Sequence, residues 1–521
     1  MIVEDQSAVI DFLSRPEAFG VREWRVERID THISSIFLLG DRALKLKRAV
    51  VYPYLDFSTP DRRRRFCEEE VTVNRRTAPG IYKGILPVVR RADGSLALGG
   101  EGEVLDWVVD MARFDDNNLL DRVAQRGGLD RRLMGGLAEA VARFHMEAEE
   151  RPNRGGKLGL LGVLKGNAAA FGQLPPGLLD TAKTKRLDQA CLEALDRWGP
   201  GLEARRRLGK VRHCHGDLHL RNICLIEGRP VLFDAIEFND DFADIDTFFD
   251  LAFLLMDLDH RRLRGLACFL MNEYLDITGD GSGLPALPLF LALRAAIRAH
   301  VSATAVGTIA DITEVARLRG EARAYLDAAL AYLAPPAPRL VAVGGLSGSG
   351  KSRMAREVAP FLGAAPGARV LRTDVIRKRL LGASPLQKLP KWGYASDITQ
   401  QTYHVFEEAV RATLKGGHSV VADAVFAKPD QRDAMARIAV DVGVEFHGLW
   451  LEAPPDVMLE RVEKRIGNAS DADAEVVIMQ QGYDLGPISW ARVDSSGPRE
   501  QTLSQGSRIL GLRAMQEGHR K

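Results

Sequence analysis

The chain is 521 residues long, which at roughly 100–200 residues per domain predicts about three domain-sized units. Its 71 Lys and Arg against 70 Asp and Glu leave a net charge of +1, so no overall field draws in nucleic acid or an anionic membrane, and neither is expected as a partner. Hydrophobic content of 46% and charged content of 27% exclude disorder and a fibrous repeat as the main theme. The five cysteines are odd in number and form no CxxC pair, which argues against a disulfide framework or a zinc knuckle and fits a reducing compartment. The N-terminus, MIVEDQSAVIDFL, has acids where a secretory signal needs Lys or Arg, and no apolar run reaches about 18 residues. A cytoplasmic location is expected.

Residues 1–110 carry short strand-like runs, VREWRVERI, SSIFLLG, RALKLKRAV and EVLDWVVDM, and read as a small mixed lobe. In RALKLK, Lys45 and Lys47 are two apart and share one face of a strand. A helix is expected to start at STPDRRRRFCEEE, with Thr59 as its cap and Pro60 in its first position. It carries Glu68, Glu69 and Glu70. A strand lysine paired with a helix glutamate holds a nucleotide's α- and β-phosphates, and spacing alone leaves the choice among these residues open. Arg62–Arg65 read as a solvated helix face.

Residues 111–335 read as a helical lobe interrupted by a β-rich insert, VRHCHGDLHLRNICLIEGRPVLFDAIEF. Within it, His215-Gly216-Asp217 is followed by Asn222 and Asp234, with ICLI and PVLF forming a hairpin across the turn EGR. That hairpin places Asn222 and Asp234 at neighbouring strand ends. Phosphoryl transfer needs such a set: a carboxylate to orient the acceptor hydroxyl and take its proton, and oxygen ligands for Mg²⁺ between phosphates.

On these motifs, residues 20–330 resemble the aminoglycoside phosphotransferase-type small-molecule kinases, relatives of the protein kinases in fold. HGDLHLRN is similar to that family's catalytic loop. The resemblance implies Asp217 as catalytic base, Asn222 and Asp234 as metal ligands, and Lys45 as the phosphate lysine with Glu70 as its partner. Two departures stand out. The family's Asp-Trp-Glu is Asp-Ala-Ile-Glu here, and THISSI at 31–36 replaces a glycine-rich loop.

LAPPAPRL at 333–340 marks a seam, since its prolines stiffen the backbone and lack N–H groups. A boundary is expected near 336, with a third domain over 336–521. That domain opens on the strand LVAVGG and the phosphate loop GLSGSGKS, a complete GxxxxGK[ST] followed by the helical run RMAREVAPFL. Gly345, Gly348 and Gly350 let backbone N–H groups wrap phosphate oxygens, Lys351 reaches the β- and γ-phosphates, and Ser352 ligates Mg²⁺. RVLRTD ends in Asp374, with Arg377 one helical turn later. GHSVVADAVF ends its apolar run at Asp423, a carboxylate placed to bear on Mg²⁺. EFHGLWLEAP is a fourth strand, followed by DVMLERVEKR, where Arg461 and Arg465 share a face suited to clamping phosphates. Strands separated by helices predict a parallel sheet with helices on both faces.

Residues 339–500 resemble the P-loop small-molecule kinases of the gluconate/shikimate kinase, zeta-toxin and polynucleotide 5′-kinase groups. The resemblance implies that Asp374 acts on the acceptor hydroxyl and that Arg377 contacts an anionic group of the substrate. The whole resembles bacterial fusions of a phosphotransferase-like domain to a P-loop kinase. The expected architecture is therefore multidomain, α+β and α/β: a two-lobed kinase-like domain followed by a P-loop α/β domain. Three functions fit. The first is a bifunctional ATP-dependent phosphotransferase using Mg²⁺ at two sites on small hydroxyl substrates. The second is one active kinase governed by a nucleotide-sensing partner domain. The third is a toxin-like or stress-response ATPase switch. Retention of Asp217, Asn222, Asp234, Lys351, Asp374 and Asp423 together favours the first, because a decayed site is expected to lose at least one such residue.

Overall fold

The computed structural model describes residues 3–21, 25–52, 54–384, 386–464 and 470–512. It separates into two compact units, residues 1–160 with 203–254 and residues 161–202 with 255–521. The seam expected near 336 thus falls inside the second unit, with the helices of 255–335 and the phosphate-loop region packed together. The reason is visible at Cys268, which lies in one core with Val341, Val358 and Val370.

The first unit is built on a six-stranded sheet with the order β1 (Glu27–Asp30), β2 (Ser34–Leu39), β3 (Arg42–Lys47), β6 (Glu103–Ala112), β4 (Tyr82–Arg90) and β5 (Leu96–Leu98). All its pairings are antiparallel. The strand period of two sorts β3. Leu44 and Leu46 enter a core with Phe37, Val88 and Val108. Ala43 packs on the other side with Cys67 and Val71 of α1 (Pro60–Asn74), and Lys45 and Lys47 share that side. Helix α1 begins as expected, with the Thr59 hydroxyl accepting from the Arg62 N–H at 3.4 Å and Pro60 in the first turn. Its arginines do not form one solvated face. Arg64 and Arg65 pair with Glu68 and Glu69 at the surface. Arg63 is fully buried and grips Asp106 with two N–H groups at 2.8 and 2.9 Å, so one position of the run is a core ion pair.

The polar hairpin comprises β7 (Ile223–Ile226) and β8 (Arg229–Leu232), joined through Glu227 and Gly228 at φ 51° and 74°. Positive φ at both central residues gives the turn the twist that two-residue hairpins favour. Flanking helices α2 (Arg131–Glu147) and α3 (Thr247–His260) supply buried His145 and Asp250.

In the second unit, α4 (Arg264–Thr278), α5 (Leu287–Ala305) and α6 (Ile312–Tyr332) precede a five-stranded parallel sheet. Its order is β10 (Arg369–Arg372), β11 (Val420–Asp423), β9 (Arg339–Gly344), β12 (Glu445–Glu452) and β13 (Ala491–Asp494). Helices cover both faces, as the alternation along β9 requires. Val341 and Val343 face one core with Met354 and Val358 of α7 (Lys351–Val358). Leu340 and Ala342 face another with Phe406 of α9 (Ser396–Lys415) and Met435 of α10 (Pro429–Val442). Four of the strands match the sequence expectation. The fifth, β13, has a single buried residue, Val493, and carries too little apolar periodicity to be read from sequence. The segment Gly281–Ala305 is long and apolar enough to cross a membrane by length and composition, but 67% of its most apolar window is buried inside the protein.

Candidate active sites

In the first unit, β3 and α1 bring Lys45 and Glu70 together at 2.7 Å. Glu70 is fully buried and binds Lys47 as well, at 2.6 Å through its other oxygen. The choice left open by spacing is therefore resolved by bridging: Glu70 holds both lysines, while Glu68 and Glu69 face outward. Lys45 also donates to Asp234 at 2.6 Å, and Lys47 donates to Glu237. Burial pushes the Glu70 carboxyl up, but the two ammonium groups more than reverse this and hold it at about 2. Burial opposes the charge on Lys45 too, yet Asp234 and Glu70 raise its pKa well above the ordinary lysine value. Glu237 is driven the other way, upward, chiefly by burial. It is the acid of Asp-Ala-Ile-Glu, the signal that could have placed it in the site.

Asp217 stands at the hairpin's entry. Its carboxylate accepts from Asn222 Nδ2 at 2.9 Å and lies 3.3 Å from His219 Nε2. Asp234 follows β8 at φ 60°, a left-handed backbone that few non-glycine residues adopt, and its N–H donates to the Tyr82 hydroxyl at 3.1 Å. The structure thus joins Asp217 to Asn222 and Asp234 to Lys45. The carboxamide and the half-exposed Asp234 carboxylate offer the oxygen chemistry that a hard divalent cation takes. Behind the loop, Asp250 accepts from the His215 and Gly216 N–H groups at 3.0 and 2.9 Å and contacts His145 Nε2 at 3.1 Å. Sequence spacing gave no sign of Asp250, which lies 34 residues beyond Gly216 on a helix. Burial lowers the His215 pKa, and its Nε2 stands 2.9 Å from the Phe233 carbonyl.

In the second unit the phosphate loop joins β9 to α7. Gly345 and Gly348 adopt φ 142° and 86°, and a Cβ on Gly348 would stand 2.5 Å from the Met458 carbonyl oxygen. Gly350 caps α7 at φ 90°, so Lys351 and Ser352 open the helix. Lys351 Nζ lies 3.4 Å from the Leu346 carbonyl. Asp423 ends β11 in register with Val343 on β9, beside the loop. It is 2% exposed, and neither carboxylate oxygen has a hydrogen-bond partner. The nearest cation is Arg372, whose Nε is 3.4 Å away. Burial opposes the charge of Arg372, and Asp423 and Asp374 restore and raise it. A buried carboxylate with both oxygens unsatisfied costs free energy unless something binds it. Together with the Ser352 hydroxyl, Asp423 fits Mg²⁺ by donor chemistry.

The expectations for Asp374 and Arg377 change here. Asp374 does not close a strand; β10 stops at Arg372, and Asp374 lies in the first turn of α8 (Thr373–Leu380). Arg372 stands at the cap position of α8, and no side chain caps that helix. In the sheet, β11 lies between β10 and β9. Arg377 is not a free anchor: it is 7% exposed and donates to the Gly393 carbonyl and the Thr399 hydroxyl at 3.0 and 3.1 Å. Arg461, on α11 (Pro455–Glu463), does meet the loop, with Nη1 3.5 Å from the Gly348 carbonyl and Nη2 2.6 Å from the Ser495 carbonyl. Arg465 lies outside the described residues. Sequence reasoning missed Gln480, on α12 (Ala474–Gln481), whose Oε1 accepts from the Ser347 N–H at 2.7 Å.

The first unit gathers Lys45, Glu70 and Asp234 into one cluster, and the second carries a phosphate loop on a parallel sheet. A family described as "AAA domain" matches residues 340–483. The chain is 30% identical over 495 residues to an uncharacterised protein of Mycobacterium tuberculosis, covering 92% of this chain and 94% of that one, and it belongs to the same family. Among solved structures, a sugar kinase from Janibacter shares 22% identity over 34% of this chain and 98% of its own, with a TM-score of 0.27. A choline/ethanolamine kinase family protein from Mesorhizobium loti shares 13% identity over 62% of this chain and 98% of its own, with a TM-score of 0.35.

Proposed function

We propose that the chain is a bifunctional, cytoplasmic ATP-dependent phosphotransferase, each site transferring a γ-phosphoryl group to a hydroxyl of a small molecule. The observation that carries this reading is the convergence of polar groups from distant segments: Lys45 reaches Glu70 and Asp234 across 25 and 189 residues of sequence.

At the first site Lys45, fixed by Glu70, binds the nucleotide phosphates. Asp217 accepts the acceptor hydroxyl's hydrogen bond and then its proton, as the acceptor oxygen bonds to the γ-phosphorus and the bond to the departing ADP oxygen breaks. Asn222 and Asp234 would hold Mg²⁺. At the second site Gly345, Gly348, Gly350 and Lys351 bind the phosphates, Ser352 and Asp423 would hold Mg²⁺, and Asp374 orients the acceptor hydroxyl. Arg461 flanks the phosphates. Mg²⁺ held there would supply neutralisation of charge on the phosphate oxygens.

A second reading is one active site governed by the other region. It is favoured by α4, whose Asn272 and Asp276 grip Arg369 of β10 at 3.0 and 2.5 Å, tying a helix of the 255–335 segment to the sheet that carries Asp423. One experiment separates them: incubation of the full chain with γ-labelled ATP and a metabolite mixture, for wild type, Asp217→Asn and Lys351→Ala. The bifunctional reading expects each variant to lose one labelled product, with Asp217→Asn cutting its own by about 10²–10⁴-fold. Loss of both products in either variant supports the governed reading, and loss of neither refutes both.

A further inference from the structure

The end of α4 holds both flanks of the junction between β10 and α8. β10 is the edge strand of its sheet, and the Asn272 carboxamide closes that open edge. It accepts from the Val370 N–H at 2.8 Å and donates to the Ala368 carbonyl at 3.1 Å. Arg369 donates to the Asp276 carboxylate at 2.5 Å. On the other flank, Arg379 of α8 donates to the Leu275 and Asp276 carbonyls at 3.1 and 2.8 Å, which the last turn of α4 leaves without helical partners. Between these two pins lie Arg372 and Asp374.

Arg372 is buried, and it lines a cavity of about 20 Å³ with Glu273 and Asp276 of α4 and Arg356 of α7. A buried guanidinium needs counter-charge. Four carboxylates act on this one: Asp423 and Asp374 from the P-loop region, Asp276 and Glu273 from α4. Burial, with Asp276 beside it, raises the Glu273 pKa, and Arg356, Arg372 and Arg369 oppose the rise. The first two carboxylates are the ones assigned to the metal and to the acceptor hydroxyl. Arg372 Nε stands 3.4 Å from Asp423, so a cation held by Asp423 is repelled unless the guanidinium is balanced from elsewhere. The carboxylates of α4 stand where that balance is needed.

We propose that Arg372 is a positioning residue of the second site and that α4 supplies its counter-charge, Glu273 and Asp276 neutralising the guanidinium so that Asp423 can serve a divalent cation. The assignment rests on the reading of Ser352 and Asp423 as metal ligands. It makes two side chains of the 255–335 segment determinants of metal affinity at the phosphate loop, without contact between them and the metal.

The test is a binding measurement that needs no turnover. Mn²⁺ is the probe, since it takes the oxygen ligands that suit Mg²⁺ and its free form is counted by electron paramagnetic resonance. The full chain is saturated with AMP-PNP and titrated with Mn²⁺, and the binding phase that Asp423→Asn weakens belongs to this site. In the double variant Glu273→Gln, Asp276→Asn that phase should weaken about threefold or more. Binding of AMP-PNP in EDTA, followed by calorimetry, should not weaken, because loss of two negative charges does not repel an anionic nucleotide. In an Arg372→Met background the same two substitutions should change Mn²⁺ affinity by less than about twofold, since the charge they balance is gone. Unchanged Mn²⁺ affinity in the double variant overturns the proposal. So does a loss that persists in full without Arg372, and so does a joint loss of Mn²⁺ and metal-free nucleotide binding, which would make α4 a scaffold and nothing more. Because Asp276 also holds Arg369, Glu273→Gln alone gives a second readout that leaves the bonds to Arg369 and Val370 in place. It should weaken the same phase about twofold, and no change there counts against the proposal as decisively. If Asp423→Asn weakens no phase, the metal reading falls and takes the proposal with it, whereas an Asp423 phase indifferent to α4 removes the proposal alone.

Discussion

Glu70→Gln tests the core of the first site. Glu70 is fully buried, each of its oxygens takes one lysine ammonium at 2.6–2.7 Å, and its carboxyl is held at about 2 instead of 4.5. A shift of that size corresponds to about 3 kcal/mol at neutral pH. A depressed carboxylate contributes stability above its unfolded pKa and loses it as pH falls, here between about 4.5 and about 2. The independent estimate for breaking a buried ion pair by removing one partner is about 3–5 kcal/mol. For a unit of this size, about 3 kcal/mol is about 6–12 °C in melting temperature. Differential scanning calorimetry of the full chain at pH 7 should show one transition displaced by that amount, with reduced nucleotide protection of the same transition. Glu68→Gln and Glu69→Gln serve as controls, since their pairs with Arg64 and Arg65 are at the surface and are worth at most about 1 kcal/mol. If Glu70→Gln melts within a degree of wild type, or if the controls lose as much, the two-lysine anchor is not what holds this lobe.

Arg63→Leu should cost about 3–5 kcal/mol, because it strands the buried Asp106 carboxylate; equilibrium denaturation in urea measures it, and a loss below 1 kcal/mol would contradict a core role. Asp423→Asn should leave nucleotide binding at the P-loop in place while lowering turnover there about 10²-fold, read by calorimetric nucleotide titration beside product formation. His418 is buried, its Nε2 stands 2.9 Å from the Gly367 carbonyl, and burial lowers its pKa from 6.5 to about 4. The unfolded chain takes up that proton first, so stability should be full above pH 6.5 and fall towards pH 4, by about 3 kcal/mol in all. Thermal melts across this range should show a shallower fall for His418→Gln, and an unchanged pH profile would remove His418 as the cause.

The local signals were legible where one segment carries all its own information. GLSGSGKS needs only its glycines and the helix that follows to form a phosphate loop. Thr59-Pro60 starts α1 through its own cap. The alternation of β3 puts Lys45 and Lys47 on one face whatever they meet. The partners on that face were another matter. Which glutamate answers the lysines depends on how α1 is rotated, and helical geometry turned Glu70 inward and Glu68 and Glu69 outward. The order of parallel strands is likewise absent from a linear pattern, so β11 could not be foreseen between Asp374 and the phosphate loop. Arg377 was expected to meet an anionic substrate group, but its guanidinium is taken up by the Gly393 carbonyl and the Thr399 hydroxyl, 16 and 22 residues away in the chain. The prolines at 335, 336 and 338 do not separate what flanks them, since Cys268, Asn272 and Asp276 pack against or bind residues beyond them. Short-range propensity and spacing therefore named the chemistry, whereas the pairing of charges was decided by burial, because an ion withdrawn from water must find its counter-ion in three dimensions and not along the chain.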